Sequence, residues 1–124
     1  MNWWRAHPYA PPVGTVLCGL ADVPLGGVRE VAFGPGLDGF RILVVRTQAY
    51  LRAYRNLCPH YRIPLNVRPD EFIVVAGEEI WCANHSAVFR LADGYCVDGP
   101  CKEASLEPIP VDVRDGSIRL GTPA

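Results

Sequence analysis

Twelve prolines and twelve glycines are scattered through 124 residues, and they leave few stretches long enough for an ordinary helix. Proline inside a helix removes a backbone donor and clashes with the preceding turn, and glycine loses the most backbone freedom on folding. Between these breaks lie short runs rich in β-branched and aromatic residues, at 15–18, 28–33, 40–47, 49–55, 72–75, 79–82, 88–91, 111–113 and 117–120. Such runs have strand length, not helix length. Asp38-Gly39, Asp93-Gly94 and Asp115-Gly116 are turn signals, because both residue types tolerate positive φ. The last pair makes the best hairpin, and one short helical turn fits at 21–24. Many short strands with frequent turns predict an all-β chain, an antiparallel sandwich or barrel.

A chain of this length fits one domain with its own core. No stretch approaches the roughly 18 apolar residues of a membrane span. Pro8, Pro11 and Pro12 interrupt the start of the chain where an export signal would need an apolar run, so the expected location is cytoplasmic. A formal net charge of −1 with mixed signs gives no footprint for nucleic acid or an anionic membrane. Five cysteines without an export signal point to metal or redox chemistry over a disulfide framework.

The residue types that bind metals concentrate between Cys58 and Cys101. The expected organisation is therefore a β-sheet base formed by 1–55 and 105–124, with 56–104 inserted as a metal-binding lobe of the same domain. Cys58-Pro59-His60 and Cys82-Ala83-Asn84-His85 each supply one soft thiolate and one imidazole. Two such halves on two loops can hold a pair of irons joined by two sulfides, the cysteines on one iron and the histidines on the other. A zinc site uses the same residue types, but its paired ligands are usually two to four residues apart, and Cys-x-His leaves one. Zinc stays as the alternative.

Asn56-Leu57-Cys58-Pro59-His60, Pro64-Leu65, Cys82-x-x-His85, Phe89, Gly94, Gly99-Pro100 and Leu106 together resemble the Rieske ferredoxin pattern. The resemblance implies antiparallel sheets with one [2Fe-2S] cluster per chain at one end, ligated by Cys58, His60, Cys82 and His85, and a loop with Gly99-Pro100 packed over it. Two features depart from the pattern. The spacing between the ligand pairs is longer than usual, and Ala83-Asn84 replaces the commoner Pro and bulky residue. Two thiolates bring an oxidised core of about +2 to about zero, so such a centre accepts an electron more readily than an all-cysteine cluster. Rieske potentials span about −150 to +300 mV against about −400 mV for plant-type ferredoxins. Respiratory Rieske proteins carry a serine and a tyrosine where this chain has Ala87 and Phe89, and a disulfide pair where it has Ile63 and Asn84. Both differences imply the low-potential, oxygenase-associated branch.

The resemblance thus implies a one-electron carrier, not an enzyme in itself, that passes electrons from a reductase to a terminal oxygenase through transient complexes and binds no substrate. The alternative is a small subunit of a stable reductase complex, as in nitrite reductases. The histidine-bound iron lies nearest solvent in this family, so Tyr61, Arg62, Asn84 and Ser86 are the expected docking residues. Elsewhere, Cys96 and Cys101 are expected to stay reduced, Cys18 to be a buried core thiol, and His7 to be solvated. Trp3 and Trp4 are expected to anchor the N-terminal segment onto the sheet.

Overall fold

The computed structural model describes residues 3–59, 63–66, 68, 71–83, 87–99, 101 and 103–121, without the side chains of Trp3 and Leu37. Among the described residues, ten strands lie in three antiparallel sheets; one short 3-10 segment precedes them and two more lie in the connections between them. The first sheet has the order β1-β10-β9, from Val16–Gly19, Ser117–Leu120 and Val111–Arg114. The second, β2-β3-β4, is formed by Gly27–Phe33, Phe40–Arg46 and Leu51–Arg55. The third, β5-β6-β7-β8, is formed by Ile73–Val75, Glu79–Trp81, Val88–Arg90 and Cys96–Asp98.

β3 organises the interior. Its run Phe-Arg-Ile-Leu-Val-Val-Arg is apolar at consecutive positions, as a strand covered on both faces must be. Phe40, Ile42 and Val44 face one core with Trp4, Ala53, Ile118 and Leu120. Leu43 and Val45 face a second core with Val28, Tyr54, Ile80, Phe89 and Leu91. The register explains the division, because Leu43 lies opposite Tyr54 and Val44 opposite Ala53. The middle sheet is thus the wall between two cores. Cys58, Cys82, Cys96 and Cys101 all lie in the second one.

A buried hydroxyl crosses that second core. The Tyr54 hydroxyl on β4 donates to the Leu91 carbonyl just after β7 at 2.7 Å, and burial pushes its pKa up. Gly94 packs against the same ring. It has φ +75, and a Cβ there would sit 2.9 Å from Tyr54 Cε1, so any other residue would strain the turn and displace the ring.

The turn Asp115-Gly116 has positive φ at both residues, 51° and 77°, and aligns Ser117 with Arg114. Asp38-Gly39 behaves differently. Gly39 has φ −74, and the positive angles in that loop fall on Gly34 and Gly36. Glycine is needed at 39 for space, since a Cβ would meet the Phe33 carbonyl oxygen at 2.8 Å. The helical turn expected at 21–24 is a 3-10 segment at Leu20–Asp22, and β8 carries too little alternation to be read from sequence. Cys18 is only half-buried, because β1 lies at a sheet edge. His7 is not a solvated tail residue. Its ring lies 5.3 Å from that of Phe40, its Nδ1 accepts the Tyr9 N–H, and burial and then Arg55 lower its pKa. Trp4, buried to 1% exposure, anchors the segment, and its backbone N–H donates to the Glu107 carboxylate at 2.9 Å.

Candidate metal centre

Two loops leave the strands toward the same core, and each closes on itself in the same way. The Cys58 N–H donates to the Ile63 carbonyl at 2.7 Å, and the Cys82 N–H donates to the Ala87 carbonyl at 2.8 Å. In both, the cysteine donates to the carbonyl five residues on (63 − 58 and 87 − 82), so each closed turn contains that loop's histidine in sequence. The two loops are joined where the Ala83 N–H donates to the Leu65 carbonyl at 2.8 Å. Both thiols are inside, Cys58 at 0% and Cys82 at 2% exposure.

The first loop is fastened to the middle sheet by a polar network. Glu30 on β2 and Arg41 on β3 project from one face and form a two-pronged pair, at 2.7 and 2.9 Å. Asn56 Nδ2 donates to Glu30 at 2.6 Å and to Asn66 Oδ1 at 2.7 Å, while Asn66 Nδ2 donates to Glu30 at 3.1 Å. Asn56 Oδ1 accepts the Leu65 N–H at 2.8 Å. Residues 56 and 66, on either side of the loop, are thereby tied to each other and to one carboxylate. Burial opposes ionisation of Glu30, but hydrogen bonds from Arg41, Asn66 and Asn56 outweigh it and hold the carboxyl below its ordinary range. In sequence, Asn56 stands out as part of the Cys58 motif, whereas nothing marks Glu30 and Arg41 as its partners.

Two further cysteines meet this site. Cys101 Sγ lies 3.2 Å from Cys58 Sγ, with both atoms buried. Cys96 Sγ contacts the Asp98 carbonyl at 3.2 Å, and burial raises its pKa. Ala87 and Phe89 are fully buried at the base of the second loop, and Gly99, at φ +89, starts the turn leading to Cys101. His60, Tyr61, Arg62, Asn84, His85, Ser86 and Pro100 lie outside the described residues.

The Rieske [2Fe-2S] domain family matches residues 15–114, which include both Cys-His pairs. The chain belongs to that family, and the family implies one [2Fe-2S] cluster per chain. A comparison with the curated proteins found no match in sequence. Among solved structures, the chain is similar to the ferredoxin of carbazole 1,9a-dioxygenase from Nocardioides aromaticivorans IC177, at TM-score 0.70 and 23% identity, covering 89% of this chain and 98% of that one. It is also similar to the Sphingomonas yanoikuyae B1 ferredoxin, at TM-score 0.65 and 24% identity, covering 89% and 99%. The terminal oxygenase of carbazole 1,9a-dioxygenase from Novosphingobium sp. KA1 matches at TM-score 0.72 and 20% identity, over 91% of this chain but 30% of that one. At these identities the likeness is one of fold.

The described part of the site fits such a cluster. Two buried thiols lie on adjoining loops, with apolar side chains around them and a histidine following each in sequence.

Proposed function

We propose that Cys58, His60, Cys82 and His85 hold the [2Fe-2S] cluster, and that the chain carries single electrons from a reductase to a terminal oxygenase in the cytoplasm. The bound cluster supplies a one-electron redox centre. The observation that supports this reading most is the pair of like-closed loops, each with a buried cysteine, bonded to one another at Ala83 and Leu65. Burial keeps the thiolates away from water, and the two anionic ligands leave the oxidised centre near neutral. Ala87 and Phe89 bring no hydroxyl to the sulfurs, which favours a potential toward the low end for Rieske centres. Among the described residues no helix is long and apolar enough to cross a membrane.

Tyr61, Arg62, Asn84 and Ser86 flank the two histidines in sequence, and we assign the docking face to them. Transient redox complexes are small and steered by charge, so one arginine matters to the association rate. The test is iron and sulfide analysis with visible spectroscopy of purified protein. Brown protein with about two irons and two labile sulfides per chain is expected. Alanine at Cys58, His60, Cys82 or His85 should remove or degrade the colour, and Arg62→Glu should leave it unchanged while slowing reduction of the oxygenase. A colourless, zinc-loaded protein refutes the cluster assignment. Unaltered electron delivery by Arg62→Glu and by Tyr61→Ala refutes the docking face.

A further inference from the structure

The contact between Cys58 and Cys101 joins positions 43 residues apart and places a second thiol beside a ligand sulfur. With both cysteines protonated, either could donate. A cysteine bound to iron is a thiolate with no hydrogen to give, so once Cys58 is a ligand, only the Cys101 S–H can donate across the 3.2 Å separation.

Cys101 does not reach this position through a free side-chain rotation. The Ala104 N–H donates to its carbonyl at 2.9 Å. The turn is fastened again where the Glu103 N–H donates to the Cys96 carbonyl and the Cys96 N–H donates to that of Ala104. Glu103 takes φ 76 within it, a left-handed conformation that a non-glycine residue keeps only where its surroundings enforce it. Cys96 thus serves as the anchor of the turn, and Cys101 is aimed at Cys58.

We infer that the Cys101 thiol hydrogen-bonds to the Cys58 ligand sulfur and makes the bound cluster easier to reduce. The inference rests on Cys58 being a ligand, and Cys101 acts through Cys58 as a positioning residue. A donor on a ligand thiolate withdraws charge, and the reduced cluster, carrying one more electron, gains more from it than the oxidised one. With Ala87 and Phe89 lacking hydroxyls, this S–H supplies a donor from the turn after β8.

The experiment is a redox titration of cluster-loaded wild type, Cys101→Ala and Cys101→Ser. Alanine removes the donor and should lower the reduction constant about fivefold, the size of one net hydrogen bond. That corresponds to about 40 mV downward at about 59 mV per tenfold for one electron. Serine keeps an O–H and should recover at least half of the loss, which a purely space-filling role would not produce. An unchanged potential in a fully loaded Cys101→Ala protein, or equal shifts for Ala and Ser, overturns the inference while leaving the cluster assignment intact.

A second measurement covers variants that fail to load. Cluster-free wild type is treated with diamide, which takes two electrons and two protons from the thiols and becomes the hydrazine. A Cys58–Cys101 disulfide should then appear in the peptide map, and be missing in Cys101→Ser. If other cysteine pairs form and this one does not, the proximity is refuted. A colourless wild type would instead defeat the ligand assignment, and this inference with it.

Discussion

The two Cys-His loops are closed in the same way but have different supports. The second springs from a hairpin: β6 ends at Trp81, β7 begins at Val88, and these two residues lie opposite each other. Its geometry follows from strand register, with the Cys82 N–H to Ala87 carbonyl bond continuing the ladder inward. The first has no such frame. β4 ends at Arg55 and β5 begins only at Ile73, so pairing of neighbouring strands does not return the chain. The charged network of Glu30, Arg41, Asn56 and Asn66 supplies the missing frame. A short hairpin can hold a metal loop by backbone alone, whereas a long connection needs buried side-chain anchors, each of which must be fully paired.

The strongest way to break this contrast is to remove the carboxylate. Glu30→Ala leaves the Arg41 guanidinium and two amide donors facing a site with no acceptor, and losing one partner of a buried pair costs about 3–5 kcal/mol. The solvent access of Arg41 puts this case near the lower figure, about 3 kcal/mol. Denaturant unfolding of the cluster-loaded protein checks this, together with faster bleaching of the cluster. A loss below about 0.5 kcal/mol, the scale of ordinary surface substitutions, would show that the first loop stands without its network.

A smaller effect is expected at the support of the hairpin. Tyr54→Phe keeps the ring but leaves the Leu91 carbonyl without its 2.7 Å donor, a loss of about 1–3 kcal/mol. Because the second loop is held through strand register, its visible spectrum should be unchanged in this variant. A bleached Tyr54→Phe protein would mean that the second loop also depends on a side-chain anchor.

The smallest effect is a pH dependence confined to the first loop. Glu30 titrates at an ordinary 4.5 when unfolded, and its folded value lies lower. Its contribution is therefore complete above about pH 4.5 and is lost as the pH falls from there through the folded value. Stability curves of wild type and Glu30→Gln should run parallel above that pH and converge below it. Curves that remain parallel through the acid range would remove the charge from the account of the loop.

Much of this protein can be read from its residues in order. Nine of the ten strands among the described residues follow from β-branched runs between breakers, because a strand's apolar pattern is local and its ends are set by the turn chemistry beside it. The Cys-His pairs are equally local, since each loop brings its own thiolate and imidazole within a few residues. The missing strand, Cys96–Asp98, exists because β7 offers it an edge to pair with, and its three residues carry no pattern of their own. Similarly, Phe40 gives His7 a surface to cover, and nothing near residue 7 in the chain foretells it.

The short-range order of the chain determined that this protein is all-β and that two Cys-His loops interrupt the strands. Only the tertiary structure decided which distant residues serve those loops. Glu30 reaches Asn56 because strand pairing sets β2 beside β3, which leads through β4 into the first loop. Cys101 reaches Cys58 because the turn after β8 folds back over the same core. Backbone dihedrals and alternation act between neighbours, so they can be read along the chain. A contact across 26 or 43 residues depends on every register and turn between its ends, and no local pattern carries that information.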